Sequence, residues 1–162
     1  MNTEEILHTA IKIEEEGIEF YTASSEKIKD ENGKSTLLFL ADEEKRHKAF
    51  FENVLREHGK GDEKSVKLLA RPRIFPEPKD YKESEAGPVD QDILEHALET
   101  EKRSIKFYED SKIFADEKLR EGLNIIIHEE IQHAEWIKFL LENITSHQAW
   151  GPLGGRFSLD GG

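Results

Sequence analysis

Ala41-Asp-Glu-Glu-Lys-Arg-His47 and, 86 residues later, Ile127-His-Glu-Glu-Ile-Gln-His133 decide the reading of this chain. Each segment carries Glu-x-x-His, which on a helix sets both side chains on one face, about 60° and ~4.5 Å of rise apart. Each also lies inside an apolar stripe of helical period. The first stripe runs Leu37, Leu40, Ala41, then Glu44 and His47, then Phe51 and Leu55; the second runs Leu123, Ile126, Ile127, then Glu130 and His133, then Ile137 and Leu140. Glutamate stands where a core-facing stripe calls for leucine.

Working outward, each of these helices has a partner with the same interruption. Leu7, Ala10 and Ile11 lead to Glu14 and then Ile18 and Tyr21; Leu94, Ala97 and Leu98 lead to Glu101 and then Ile105 and Tyr108. The first hairpin maps onto the second at a shift of 87 and then 86 residues. Ile6, Glu14, Phe20 and Tyr21 fall on Ile93, Glu101, Phe107 and Tyr108, and Asp30, Glu43, Glu44 and His47 fall on Asp116, Glu129, Glu130 and His133. The chain is an internal duplication of a helical hairpin, with no strand pattern anywhere.

Residues facing each other in an antiparallel hairpin are equidistant from its turn. Glu14 and Glu44 are equidistant from residue 29, and Glu101 and Glu130 from the Ala115–Asp116 bond. Asp30 and Asp116 are therefore expected as N-caps, with Gly33 in the first turn of helix two. Placing all four glutamates at one level forbids a tight turn between helices two and three. Residues 59–90 hold four of the five prolines (Pro72, Pro76, Pro78, Pro88) and suit a crossover along a helix of ~37 Å, with a short helix suggested near Asp62–Ala70. The expected organisation is a four-helix bundle over residues 1–145, with an irregular tail over 146–162.

Four buried carboxylates cannot persist as free anions, because each costs several kcal/mol or more. They are either protonated or neutralised by cations. Two divalent ions balance four glutamates, and two neutral histidines complete the donor set: Glu14, Glu44, His47, Glu101, Glu130 and His133. Composition alone supplies about one Glu-x-x-His pair; three occur. Glu5/His8 has no counterpart in the repeat and reads as chance. Glu15, Glu16, Glu19, Glu43 and Glu129 lie out of phase and read as solvated. Tyr21 and Tyr108 lie seven residues beyond Glu14 and Glu101 on the same face, where their hydroxyls either bond the ligand carboxylates or sit at the rim of the core. Trp136 reads as packing and His128 as a surface or core residue without a ligand role.

Composition narrows the rest. The 162 residues include no cysteine, which excludes disulfides, thiolate metal sites and cysteine nucleophiles. With 35 acidic against 23 basic side chains the formal charge is −12, which repels nucleic acid. No apolar run approaches the ~20 residues a membrane helix needs, and a cytoplasmic protein is expected.

Taken together, Ile13–Tyr21, Leu40–His47, Glu99–Tyr108 and Ile127–His133 resemble the rubrerythrin and ferritin-like di-iron carboxylate family, over about residues 3–144. The resemblance implies a ferritin-like fold and two irons, with Zn or Mn as substitutes. It implies Glu44 and Glu130 bridging the metals, and reaction with hydrogen peroxide or dioxygen. Two departures qualify it. The 162 residues contain no four-cysteine rubredoxin-like segment, so a separate rubredoxin- or ferredoxin-like electron donor is expected. The positions one turn from Glu101 are Ala97, Leu98, Ser104 and Ile105, none of them acidic, which is closer to the symmetric bacterioferritin type. Peroxide reduction, ferroxidase or iron handling, and a purely structural metal therefore stay open. A homodimer is expected, using the apolar tail residues Trp150, Leu153, Phe157 and Leu159 or the 59–90 crossover.

Overall fold

The computed structural model describes residues 2–27, 31–60 and 91–149. Four helices make up this part: α1 (Thr3–Lys27), α2 (Glu31–Lys60), α3 (Gln91–Ser111) and α4 (Glu117–Ala149). No strand occurs among the described residues, and no helix is long and apolar enough to cross a membrane. The helix starts follow local chemistry. Asn2 and Glu5 form a reciprocal capping box, Asn2 N donating to Glu5 Oε2 and Glu5 N to Asn2 Oδ1, both at 2.9 Å. Glu5 is thus a capping residue, and His8 is exposed, as the chance reading of that pair requires. Asp116 caps α4 through Oδ1, which accepts from Leu119 N at 2.8 Å. The expected cap at Asp30 lies outside the described residues, whereas Gly33 does fall in the first turn of α2.

The connections within each hairpin are short, which makes α1 antiparallel to α2 and α3 antiparallel to α4. Between hairpins, Tyr21 on α1 meets Glu101 on α3 while Tyr108 on α3 meets Glu14 on α1, so residue numbers run oppositely along this pair too. Around the bundle the order is α1, α2, α4, α3. Lys60 and Gln91 consequently lie at opposite ends, and the connection between them has to bridge the bundle's length. This is the all-α bundle of two helical hairpins with one long crossover. Residues 61–90, including the suggested short helix, lie outside the described residues. One boundary differs from expectation: α4 continues past Thr145 to Ala149, because Ser146-His-Gln-Ala149 contains no breaker before Gly151-Pro152. Residues 150–162 are outside the described part.

All four helices feed each of two apolar clusters, one on either side of the midplane. The first joins Ile6, Leu7 and Ala10 to Phe50, Phe51, Val54, Tyr108, Leu119, Leu123 and Ile126. The second joins Tyr21 to Leu37, Leu40, Leu94, Ala97, Trp136, Ile137 and Leu140. Trp136 is packed there, stacked on Phe139 at 5.6 Å between ring centroids. Packing in the first cluster is close. A Cβ on Gly122 would sit 2.1 Å from Phe50 Cζ, and the Phe50 ring is itself boxed by Phe51 at 5.4 Å. Gly122→Ala gains about 1 kcal/mol of helix propensity. It also forces a buried ring aside, at a cost of about 1–3 kcal/mol or more. The expected outcome of thermal denaturation is a net fall in Tm of a few degrees; a rise would show that Phe50 can leave its place freely.

Candidate metal centre

Between the two clusters lies a polar layer at mid-height, built by one turn of each helix. Glu14 on α1, Glu44 and His47 on α2, Glu101 on α3, and Glu130 and His133 on α4 are all buried, none more than 4% exposed. Their ligand atoms converge in two overlapping groups. Glu14, Glu44, His47 and Glu130 form one, and Glu44, Glu101, Glu130 and His133 the other, with the atoms of each group within 4.8 Å of one another. A metal ~2.1 Å from each donor accommodates donors up to ~4.2 Å apart, so each group needs only a small contraction to close on one ion. Glu44 and Glu130 belong to both groups. The imidazoles of His47 and His133 are stacked across the layer, 6.0 Å apart between centroids.

The bonding inside the layer leaves donors over. Glu14 Oε2, Glu101 Oε2, Glu130 Oε1 and His47 Nδ1 are buried without a hydrogen-bond partner. His47 Nδ1 lies 3.2 Å from Glu130 Oε1, 3.7 Å from Glu44 Oε2 and 3.9 Å from Glu14 Oε2, yet it is aligned with none of them. His133 Nδ1 is 3.3 Å from Glu130 Oε2 and 4.0 Å from Glu101 Oε2. Lone pairs aimed at a common interior point, in a place where an unpaired polar atom costs about 1–3 kcal/mol, fit divalent cations.

Without metal the layer balances its charge with protons. Burial, and then the neighbouring Glu44, push the Glu14 carboxyl well above the ordinary carboxylate range. Burial, and then Glu130, do the same to Glu101. Burial alone would raise Glu130 as well, but His47 and His133 hold it well below its usual range. His47 is its mirror: burial opposes its charge, and Glu130 and Glu129 overcome this and raise it well above a normal histidine. Tyr21 and Tyr108 are pushed up by burial and by the adjacent carboxylates, so both remain neutral donors. Their hydroxyls bond Oε1 of the terminal glutamates, each across the bundle: Tyr21 to Glu101, and Tyr108 to Glu14. Of the two readings left open for these hydroxyls, the structure has the bond to the carboxylates.

The model of the family described as Rubrerythrin matches residues 5–141. The chain belongs to the rubrerythrin family. No curated protein and no solved structure matches it. Among the described residues of this rubrerythrin-family bundle, all six predicted ligands meet in one layer.

One expectation is overturned. Glu15, Glu16 and Glu19 are exposed as predicted, but Glu43 and Glu129 are buried, at 4% and 5% exposure. The cause is the second neighbour that each helix of a bundle has. A residue one step before the ligand is rotated ~100° from the stripe, and on α2 and α4 that direction faces the α2–α4 seam. There Arg46 Nη2 donates to both Glu43, at 3.0 Å, and Glu129. Glu129 Oε2 also lies 3.0 Å from His47 Nε2. The signal was present in the repeat: Glu43 falls on Glu129, and Arg46 stands one turn after Glu43. His128 is exposed, in line with its surface reading.

Proposed function

We propose that this rubrerythrin-family chain is a di-iron oxidoreductase of oxidative-stress defence. It reduces hydrogen peroxide or dioxygen with electrons from a separate rubredoxin- or ferredoxin-like donor. The observation that carries the reading is the pair of four-donor groups sharing Glu44 and Glu130. In this reading Glu14 and His47 would hold one ion and Glu101 and His133 the other, and Glu44 and Glu130, common to both groups, would serve both. Four carboxylates at −4 match two divalent ions at +4, which removes the cost that four like charges carry in low dielectric.

A diferrous pair supplies two electrons, enough, with two protons, to convert one hydrogen peroxide to two waters. The chain's contribution is position and exclusion. Tyr108 and Tyr21 fix Oε1 of Glu14 and Glu101 and turn Oε2 inward. The two apolar clusters close the layer above and below. Zn binds most N/O sites more tightly than Fe or Mn, so the metal found after expression follows supply as well as preference.

The test is anaerobic loading with Fe(II), metal counting, and titration with peroxide. Two irons per chain, oxidised by about one equivalent of hydrogen peroxide per pair and faster than by air, are expected. One iron or none defeats the reading. A ferroxidase is the second reading, favoured by Ser104, whose hydroxyl donates to the Glu101 carbonyl at 2.9 Å and offers no third carboxylate beside that ligand. It would accumulate ferric iron beyond two per chain in air. A dimer in solution sizing suits the enzyme, and a 24-subunit shell suits storage.

Gly17 bears on the same site. A Cβ there would lie 3.2 Å from Glu44 Cγ, in a helix interior that otherwise favours alanine. Gly17→Ala is expected to raise the Tm of the metal-free protein while weakening metal uptake, because Glu44 must yield by a few tenths of an ångström. Unchanged metal affinity would show that Glu44 has slack.

A further inference from the structure

We infer that Glu129, held in place by Arg46, is a positioning residue that fixes the ring of His47 and so completes one of the two metal positions. The inference rests on the di-metal reading above and concerns the pair of groups behind it.

The geometry begins with the two nitrogens of His47. Nδ1 faces the carboxylate layer and bonds nothing there. Nε2 faces outward, into the α2–α4 seam, where two groups compete for it. Glu129 Oε2 is 3.0 Å away, and Arg46 Nη2 is 3.4 Å away. An arginine nitrogen only donates, so a bond from it would require Nε2 to be a bare acceptor, with the proton on Nδ1. The carboxylate only accepts, so a bond to it requires a proton on Nε2. The shorter contact belongs to the carboxylate, which carries charge as well, and charge-assisted bonds are about twice as strong as neutral ones. Nε2–H therefore donates to Glu129, and once the ring is neutral the free lone pair belongs to Nδ1, on the side of the layer.

Glu129 is in turn fixed. Arg46 donates to it across the seam and to Glu43 on its own helix. These bonds hold the Glu129 carboxylate in place in the seam, where it is 5% exposed. The duplicated hairpins diverge at this point, since the residue of α4 that corresponds to Arg46 is Gln132. One guanidinium serves both carboxylates of the seam, and it comes from the helix that carries His47. Loss of Glu129 should therefore act on the Glu14–Glu44–His47–Glu130 position and spare the other.

The first measurement needs no variant. In the Zn(II)-loaded, nitrogen-15-labelled protein, His47 is expected to show metal-bound Nδ1 and a protonated, slowly exchanging Nε2. The reverse assignment overturns the inference. The second is titration of the full chain with Co(II), followed by its visible absorption. Wild type is expected to take two ions. Glu129→Ala should keep one tight ion and bind the other about 10–100-fold more weakly, the usual cost of losing such a partner. Glu129→Gln, whose amide oxygen still accepts from Nε2–H, should recover most of that loss and keep the wild-type nitrogen-15 pattern. Two equally tight ions in Glu129→Ala would overturn the inference. Wild type binding no pair of ions would instead defeat the di-metal reading beneath it. Should Glu129→Ala fail to fold, the wild-type assignment and the Glu129→Gln titration decide between the outcomes.

Discussion

Glu130→Ala is expected to lose both ions and all turnover, whereas Glu19→Ala is expected to keep two irons bound and the rate unchanged. Glu130 belongs to both donor groups, so its loss opens both positions at once, and in the metal-free layer His47 and His133 hold its carboxyl well below the usual range against the effect of burial. Without it His47 loses the nearest carboxylate on its Nδ1 side, 3.2 Å away, and the remaining donors can neutralise only part of +4. The loss in affinity should exceed the 10–100-fold typical of an outer partner. Glu19 is exposed on α1 and is the appropriate control. Glu129, one residue from Glu130, is not a silent control, since it touches His47. Metal counting after anaerobic Fe(II) loading, followed by peroxide consumption, reads both variants. Equal loss from Glu130→Ala and Glu19→Ala would mean that the helical phase is wrong and the ligand set with it.

Chelation is expected to lower the melting temperature at pH 8 by upwards of about 15 °C, and by much less at pH 5. Two ions each held a thousandfold above their dissociation constants stabilise by about 8 kcal/mol together, and a chain of this size loses roughly 2–4 °C per kcal/mol. The pH dependence follows from the directions of the shifts in the metal-free protein. Glu14 and Glu101 are raised on folding, so their contribution is complete below the ordinary glutamate value and is lost as pH rises through their folded values. His47 is raised as well, and its contribution is complete below about 6.5 and fades above its own folded value. Glu130 is lowered, so what it contributes is present above the ordinary glutamate range and lost only as pH falls further. From pH 5 to pH 8 the changing terms all weaken the metal-free fold. Over the same interval protons compete less for the ligands, and metal binds more tightly. A melting curve indifferent to chelator at pH 8 would count against a buried metal site.

The layer was legible because burial of a carboxylate breaks a periodic pattern. Glu14, Glu44, Glu101 and Glu130 each stand at a position that periodicity assigns to leucine, and the duplication repeats the anomaly at matched distances from two turns. The Asp116 cap followed from the same arithmetic. What one helix's periodicity does not carry is the neighbour across a seam. Glu43 and Glu129 sit ~100° from the stripe, where a lone amphipathic helix is wet and a bundle helix is not. Their burial depends on Arg46, which crosses from α2 to α4. The tyrosines show the same limit. Their spacing put them on the ligand face, but their partners are the glutamates of the other hairpin, because α1 and α3 run antiparallel. The end of α4 differs from the expected boundary because the glycine-rich composition that suggests a tail begins only at Gly151, whereas Ser146–Ala149 carries no residue that breaks a helix.

A core divided into two oily halves by a belt of ionisable groups has its softest plane at mid-height, whereas helices ordinarily loosen from their ends. With cations in the belt, the halves are riveted together; without them, the middle turns of all four helices share a plane of buried polar atoms that lack partners, while Leu7 and Leu140 remain in oil. Amide hydrogen exchange should register the difference as a band. Removing metal should speed exchange most in the turns around residues 14, 44, 101 and 130, and least in the flanking apolar turns. Uniform acceleration from end to end would mean that the belt is no weaker than the oil on either side. In the banded case the protein would loosen first at the place where its chemistry is done, which gives incoming metal a route to a centre closed above and below.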